Sequence, residues 1–275
     1  FTTRTATVTV EDNTNPTWTN DPTDLTLECD GTNDPSGQIA AWLTAIGNTG
    51  TATDACGNVA FTNNYTAYSD ECGATGNATV IFTATDDCGN TTTQSAVVTI
   101  EDNTAPAIDT EASDLTVECD GFGNDAQLQA WLNANGNAVS SDDCSTVTWT
   151  NNYTSLSDDC GATGSATVTF TATDDCGNNT STTALFIIID TTVPVFDTPA
   201  QDTTIQCNAA NQDALIALWL ANNAGATSSD ICGDVTWSHD YTGLSDECGA
   251  TGDATVIFTA TDDCGNTTTQ SAVVT

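Results

Sequence analysis

The chain is dominated by an internal repeat. Four cysteines recur three times in the same order, and the four of each set are separated by 25 or 27, then 16, then 16 residues. Residues 69–99 return at 245–275 with a single change, Asn77 to Asp253. Self-similarity at a fixed period is the signature of tandem structural units. We therefore predict three domains: repeat 1 at 11–100, repeat 2 at 101–188 and repeat 3 at 189–275.

Residues 1–10 fall outside these three repeats. Their sequence, FTTRTATVTV, matches the last strand of a repeat, as in TTTQSAVVTI at 91–100. We expect this segment to be the last strand of a preceding repeat, so that the chain is part of a longer array. It would complete the preceding sandwich either within a longer chain or by strand addition from a neighbouring subunit. The sequence leaves both options open.

Each repeat carries the same order of predicted elements. A linker ending in proline and an extended segment precede a short amphipathic helix, whose apolar face in repeat 1 is Ile39, Trp42, Leu43 and Ile46. Three strands follow, and the middle one, 78–85, shows the two-residue alternation of a half-buried strand. A helix of about ten residues is too short to be stable alone, so its tryptophan must dock on a sheet. The predicted class is mainly β: tandem sandwiches, each with one short inserted α-helix.

The charge balance excludes several kinds of partner. The chain has 38 acidic residues against a single cation, Arg4, which gives a formal net charge of −37. Nucleic-acid binding needs Lys and Arg to neutralise phosphates, so we expect no nucleic-acid partner. An anionic membrane surface repels such a chain, and no apolar run is long enough to insert into a bilayer. The small partner that suits this composition is a cation.

The twelve cysteines indicate disulfide bonds. Zinc sites built from cysteine usually contain CxxC pairs, and the sequence has none. An even number of cysteines at regular spacing is typical of a disulfide framework. Such frameworks persist in oxidising compartments, so we expect an extracytoplasmic protein.

The direction of the predicted elements suggests how the cysteines pair. If the extended segment of repeat 1 runs down, its helix up and its next two strands down and up, Cys29 and Cys72 share one end and Cys56 and Cys88 share the other. The strand between Cys72 and Cys88 spans about 26 Å, whereas a disulfide needs Cα atoms within about 7 Å. We therefore predict disulfides within each repeat: Cys29–Cys72, Cys56–Cys88, Cys119–Cys160, Cys144–Cys176, Cys207–Cys248 and Cys232–Cys264.

Acidic residues gather in the linkers and turns at one end of each repeat, and Glu28, Asp30, Asp70 and Glu71 lie at the facing end of repeat 1. Crowded like charges protonate, move apart or bind a cation, and oxygen ligands of this kind suit Ca²⁺. The alternative is that they are solvated residues of ordinary turns. We favour calcium at the junctions between repeats, with the candidate ligands Asp12, Asp54, Asp86, Asp87, Asp102, Asn103, Asp142, Asp143, Asp174, Asp175, Asp190, Asp230, Asp262 and Asp263.

The third linker differs from the other two. It reads Ile189-Asp190, whereas Glu11 and Glu101 precede the aspartate in the first and second linkers. The missing carboxylate predicts a weaker calcium site there.

The sequence offers no catalytic motif. It contains no GxSxG, no HExxH and no phosphate-binding loop. The single histidine, His239, corresponds to Asn63 and Asn151 in the other repeats, so a catalytic role would have no counterpart there. We expect no enzyme activity.

The TATDDCGN turn, the strand after it and the DNTAP linker resemble the hyalin-repeat (HYR) family of immunoglobulin-like modules. The longer pattern, from DLTVECDG to TFTATDDCGN, is similar to repeats of large secreted surface adhesins of Bacteroidota. The resemblance implies immunoglobulin-like sandwiches at the cell surface, in the rod of an extracellular filament or adhesin stalk, with further copies of the same repeat as partners. The alternative is an array of modules that bind surface glycans or another partner and are attached to a large secreted enzyme.

Overall fold

The computed structural model describes residues 1–208, 211–249 and 251–275. In repeat 1 the elements are β1 (Thr17–Asn20), β2 (Leu25–Glu28), α1 (Gln38–Thr44), α2 (Ile46–Thr49), β3 (Thr51–Thr53), β4 (Val59–Asn63), β5 (Gly76–Asp86) and β6 (Thr91–Glu101). In repeat 2 they are β7 (Ala107–Thr110), β8 (Leu115–Glu118), α3 (Asp125–Asn133), β9 (Val139–Ser141), β10 (Thr148–Asn151), β11 (Gly164–Thr173) and β12 (Asn179–Ile189). In repeat 3 they are β13 (Val195–Thr198), α4 (Gln212–Ala221), β14 (Thr227–Ser229), β15 (Val235–His239), β16 (Ala254–Asp262) and β17 (Thr267–Val274).

The three repeats share one topology. The main sheets have the orders β2-β6-β5-β4, β10-β11-β12-β8 and β15-β16-β17, and each repeat adds a two-stranded sheet, β1-β3, β7-β9 or β13-β14. In repeat 1, β4, β5 and β6 are antiparallel neighbours, and β2 runs parallel to β6. In repeat 3, Thr203 makes a single parallel bridge to Val274 at the corresponding edge. The predicted mainly β fold of tandem sandwich-like repeats with short helices is confirmed.

The helices pack on the sheets through their tryptophans. In repeat 1, Ile39 and Trp42 of α1 are buried against Val80, Phe82 and Val98 of the sheet. The Trp42 ring meets Phe82 edge to face, with ring centroids 5.3 Å apart. Its indole N–H donates to a backbone carbonyl, that of Thr23, at 3.0 Å. The buried ring therefore has both an apolar contact and a hydrogen-bond partner, as a core tryptophan requires.

The other two repeats have the same anchor. Trp131 donates to the carbonyl of Ser113 and Trp219 to that of Gln201, both at 3.0 Å. Their rings contact Phe170 and Phe258 edge to face, at 5.2 and 5.3 Å. The prediction that these tryptophans dock the helices on the sheets is confirmed.

Residues 1–10 form no strand and are exposed along their whole length. The prediction that they belong to a preceding repeat stays a prediction. In the described residues, no helix combines the length and the apolar character needed to cross a membrane.

By contact density the chain divides into two compact units. One comprises Phe1–Asp109, Val139–Thr150 and Thr171–Ser181, and the other comprises Thr110–Ala138, Asn151–Phe170 and Thr182–Thr275. The boundary between them therefore crosses repeat 2. The residues where repeat 1 meets repeat 2 lie in the first unit, and those where repeat 2 meets repeat 3 lie in the second.

Candidate metal centres at the repeat junctions

The disulfides join successive repeats, so the predicted pairing within repeats is wrong. The first junction, between repeats 1 and 2, contains Cys29–Cys144 and Cys72–Cys176, with Cα–Cα distances of 5.9 and 5.1 Å. The second junction, between repeats 2 and 3, contains Cys119–Cys232 and Cys160–Cys264, at 6.1 and 5.1 Å. The four remaining cysteines of the described residues are free and exposed: Cys56, Cys88, Cys207 and Cys248.

The prediction is wrong about which cysteines bond to each other, but it is correct about the end of the repeat at which they lie. The antiparallel order of β4, β5 and β6, with β2 parallel to β6, places Cys29 and Cys72 at one end of repeat 1, as predicted. Both of these cysteines, however, bond to repeat 2. A strand direction determines the end at which a residue lies but not its sideways neighbour. At this end the neighbour is a loop of the next repeat.

Two glycines of repeat 1 allow that loop to approach. A Cβ on Gly31 would lie 2.4 Å from the carbonyl oxygen of Asp143, and one on Gly73 would lie 2.6 Å from that of Cys144. Real Cβ atoms do not come so close to a backbone oxygen, so both positions require glycine. The amide of Ala74 then donates to the carbonyl of Cys144 at 2.8 Å. The glycines therefore bring the loop of repeat 2 within hydrogen-bonding distance of repeat 1.

The second junction repeats this contact. A Cβ on Gly121 would lie 2.5 Å from the carbonyl oxygen of Ile231, and a Cβ on Gly161 would lie 2.1 Å from the carbonyl oxygen of Cys232. The amide of Ala162 donates to the carbonyl of Cys232 at 2.6 Å. These glycines were not among the predicted junction residues. The recurring Cys-Gly pairs at 72–73 and 160–161 are the sequence feature that could have identified them.

Each linker aspartate is held by the turn between the two long strands of its repeat. In repeat 2 the side-chain amide of Asn178 donates to the carbonyl of Asp102 at 2.9 Å and to the carboxylate of Asp174 at 2.9 Å. Asn90 and Asn266 make the same bonds to the carbonyls of Asp12 and Asp190, at 3.2 and 3.1 Å. The DDCGN turn therefore places the linker beside its own first aspartate.

Three acidic clusters result, one per repeat. In each, the linker aspartate, a loop aspartate and a cysteine sulfur lie within 4.8 Å of one another: Asp12, Asp54 and Cys56; Asp102, Asp142 and Cys144; Asp190, Asp230 and Cys232. Cys144 and Cys232 are in disulfides, so those two clusters offer carboxylate oxygens. All six of these aspartates are among the predicted calcium ligands, and calcium binding by them stays a prediction.

The turn aspartate lies beside the linker aspartate, to which the turn asparagine connects it, and in repeats 2 and 3 its charge acts on the linker carboxyl. Asp174 and Asp142 both raise the pKa of Asp102, after the larger effect of its burial, and Asp262 and Asp230 do the same for Asp190. Burial raises these pKa values because it penalises the charged form, and nearby carboxylates add repulsion. The surroundings of Asp102 and Asp190 therefore disfavour the ionised form of these carboxyl groups.

One carboxylate oxygen in or beside each cluster is buried without a hydrogen-bond partner in the described residues. These are Oδ2 of Asp12, Oδ2 of Asp102 and Oδ2 of Asp262. A buried oxygen without a partner costs free energy that a bound cation would recover. The unpaired oxygens, and the oxygen-only donors of the second and third clusters, fit Ca²⁺, which takes carboxylate and carbonyl ligands.

Other predicted ligands serve the turns and not the clusters. Asp87, Asp175 and Asp263 accept hydrogen bonds from the loop before β4 or its equivalent, for example from the amide of Asn58 at 3.0 Å. The Asp143 side chain is exposed beside the first junction. Asn103 donates its backbone and side-chain amides to Glu28, at 2.7 and 3.2 Å. Only the first aspartate of each turn pair therefore lies beside a cluster.

Glu28 has a role that the sequence analysis did not assign. Its carboxylate accepts hydrogen bonds from Asn103 and from the hydroxyl of Thr104, and these bonds, led by the Asn103 amide, lower its pKa. In the second junction Glu118 accepts equivalent bonds from Thr191 and Thr192, with the same effect on its pKa. Each glutamate fixes the linker just after the cluster aspartate. Asp30 and Glu71, in contrast, accept bonds within their own turns.

Comparisons with known proteins give only a distant likeness. No protein-family model matches the chain, and no curated protein sequence is significantly similar to it. Among solved structures it is similar to a mouse cadherin-23 fragment, EC22-24, with 13% identity, a TM-score of 0.30 and coverage of 94% of this chain and 98% of that one. It is also similar to a Drosophila N-cadherin fragment, EC1-4, with 10% identity and a TM-score of 0.28. That match covers 94% of this chain and 75% of the N-cadherin fragment.

The human desmocollin-1 ectodomain gives 11% identity and a TM-score of 0.28, with 96% of this chain and 61% of that chain covered. The chain thus spans less than two thirds of that ectodomain. TM-scores of this size carry no argument about function. What the chain does must therefore be inferred from its own junctions.

Proposed function

We propose that the chain is a structural segment of an extracellular filament or adhesin stalk, in which calcium stiffens disulfide-linked tandem repeats. The observation that carries the proposal is that both junctions combine two covalent bridges with a cluster of buried or half-buried carboxylates. A protein that only needed stable domains could place its disulfides inside them. Bridges between domains instead restrict how the domains move against each other.

The disulfides support an extracellular location. Disulfides of structural importance persist in oxidising compartments outside the cytoplasm. They also support a mechanical role, since a pulling force on the array would have to break covalent bonds before one repeat could leave the next. We propose a structural and not a catalytic role, with further repeats of the same type as the partner. Surface glycans receive no site in this proposal.

Calcium would complete the junction. Asp102, Asp142 and Asp174 would hold the ion at the first junction, and Asp190, Asp230 and Asp262 at the second. A bound divalent cation would neutralise their repulsion. Because Asp102 belongs to the linker and Asp142 to a loop that repeat 1 contacts, holding both carboxylates would fix the angle of the linker. Removal of calcium should then loosen each junction without releasing its disulfides.

The test is calcium titration of the whole chain with three readouts: calorimetric binding, thermal melting and the maximum dimension from small-angle scattering. We expect calcium to raise the melting temperature, because binding to the folded state at a hundredfold excess over Kd adds about 2.7 kcal/mol. The variant Asp102→Asn/Asp142→Asn should lose one site. Asp143→Asn is the matched control, since its side chain is exposed and outside the cluster.

Two results would count against the proposal. One is an unchanged melting temperature and maximum dimension on addition of calcium and then chelator. The other is equal loss of binding in the control and in the double variant, which would indicate attraction to the overall charge and not a site.

A further inference from the structure

The free cysteines are the complement of the bonded ones. At both junctions, the first and third cysteines of one repeat bond to the second and fourth of the next. The free thiols in the described residues are the second and fourth cysteines of repeat 1, Cys56 and Cys88, and the first and third of repeat 3, Cys207 and Cys248. We call the first pair the entry thiols and the second pair the exit thiols. Each pair is half of the same two-disulfide junction.

We propose that the entry and exit thiols bond to further repeats of this type in the pairing of the two junctions, so that a second copy of this chain joins the first head to tail as Cys207–Cys56 and Cys248–Cys88. The inference deepens the proposed structural role and rests on it, but it does not require calcium. It names the kind of partner that the four free thiols take and the two bonds that attach it.

The entry side already has the conformation of an occupied junction. Asp54 accepts a hydrogen bond from the amide of Cys56 at 2.7 Å, and Asp142 and Asp230 hold Cys144 and Cys232 in the same way, at 2.9 and 2.8 Å. Since Cys144 and Cys232 are bonded and Cys56 is not, the loop takes this form before its partner arrives. Little conformational entropy is then lost when the partner binds.

The exit side has the same local backbone geometry as the corresponding side of each junction. The hydroxyl of Thr251 bonds the carbonyl of Cys248 at 2.8 Å, as Thr75 and Thr163 bond those of Cys72 and Cys160. Gly249 has a φ of +70°, close to the +58° of Gly73. A Cβ on Gly73 would clash with the carbonyl of Cys144, whereas one on Gly249 would meet no described residue within 4 Å. The carbonyl of Cys56 from another copy is the group that fits this space.

The exit side of repeat 3 also departs from the pattern. Gln206 and Asn208 stand where the other repeats have glutamate and aspartate, and Ala209, outside the described residues, stands where they have Gly31 and Gly121. The exit side therefore lacks the two carboxylates that the other repeats carry at these positions.

Bond formation needs an oxidant. Each new disulfide forms from two thiols, which lose two protons and two electrons. A low-molecular-weight disulfide, such as oxidised glutathione, accepts them and leaves as two thiols. The first thiol attacks this oxidant to give a mixed disulfide, and the partner thiol then displaces the second glutathione.

The test uses two full-length variants. Cys207→Ser/Cys248→Ser keeps only entry thiols, and Cys56→Ser/Cys88→Ser keeps only exit thiols. All four positions are exposed, so we expect unchanged melting temperatures. With oxidised glutathione, the unaltered chain should give a ladder on a non-reducing gel, each variant alone should stay monomeric, and an equimolar mixture should stop at the dimer. Mapping of that dimer should recover Cys56–Cys207 and Cys88–Cys248.

The steric argument has its own variant. Gly249→Ala should lower the dimer yield several-fold, because its methyl group would occupy the space for the Cys56 carbonyl. The inference is overturned if the unaltered chain forms an internal Cys56–Cys88 bond instead, if single variants dimerise as well as the mixture, or if no dimer forms either with calcium or with chelator. Calcium binding by the monomer is measured separately, so failure here leaves the calcium proposal intact.

Discussion

The two junctions are built from the same parts on different linkers. At the first, the linker reads Glu101-Asp102-Asn103, and at the second it reads Ile189-Asp190-Thr191. Both have two disulfides, an acidic cluster and a glutamate that accepts hydrogen bonds from the linker. The donors to that glutamate differ: an asparagine amide at the first junction is replaced by a threonine hydroxyl at the second.

Comparing the two linkers shows which linker residue both junctions share and which one varies between them. The aspartate in the middle of the linker is present in both, and in both burial raises its pKa. The residue before it is not part of either cluster: Glu101 is exposed and accepts only a 3.3 Å bond from Asn103. The expectation of a weaker third-linker site depended on that glutamate. The structure removes this reason for expecting one.

The largest effect should come from breaking one bridge per junction. We expect Cys72→Ala/Cys176→Ala and Cys160→Ala/Cys264→Ala each to lower the free energy of unfolding by about 2–4 kcal/mol. The two losses should be equal, because both bridges span 104 residues of sequence. Denaturant melting measures them.

A double-mutant comparison checks the pairing itself. Cys72→Ala alone should cost as much as Cys72→Ala/Cys176→Ala, because either change removes the same bond. Cys29→Ala/Cys72→Ala should cost more, since it removes two bonds. Equal costs for Cys29→Ala/Cys72→Ala and Cys72→Ala would instead indicate a bridge within repeat 1.

A smaller effect should appear in the pH dependence of the calcium-free protein. The folded state raises the pKa of Asp102 and Asp190, so it binds their protons more tightly than the unfolded state does, and this stability is lost as pH rises through the raised values. Glu28 and Glu118 have lowered pKa values, so their contribution is lost as pH falls below the usual carboxyl range. Melting temperature in chelator should therefore rise as pH falls from neutral toward the usual carboxyl range, and it should decrease again below that range.

Asp102→Asn isolates the junction from the general relief of negative charge. It should flatten the rise in melting temperature between neutral pH and the usual carboxyl range, because asparagine is neutral throughout. Asp143→Asn removes the same charge from an exposed position nearby and should keep the full rise. Identical curves for the two variants would contradict a special role for Asp102.

The smallest expected effect is that of restoring the missing glutamate. Ile189→Glu should leave the calcium affinity of the second junction within about twofold, because the equivalent Glu101 lies outside the cluster. Isothermal titration against the unaltered chain measures this. A gain of tenfold or more, equal to about 1.4 kcal/mol, would show that the preceding carboxylate does reach the ion.

The sequence by itself determined the repeat, the mainly β class and the end of the repeat at which each cysteine lies. These features follow from local physics. Side-chain alternation marks strands, helical spacing marks the docked face, and the rise per residue sets how far apart two positions are along a strand. Trp42 and its counterparts were identified as core anchors on this basis alone.

Only the tertiary structure decided which cysteines meet and which acids cluster. The sequence around Cys29 is equally compatible with a bond to Cys72 of its own repeat and with a bond to Cys144 of the next. Spacing along the chain does not show which residues lie side by side at one end of a domain. Likewise, Asp86 and Asp87 are adjacent in sequence, yet the first belongs to the turn that holds the linker and the second accepts bonds from the loop before β4. These choices depend on packing between repeats, where glycines such as Gly31 and Gly73 set how closely two backbones approach.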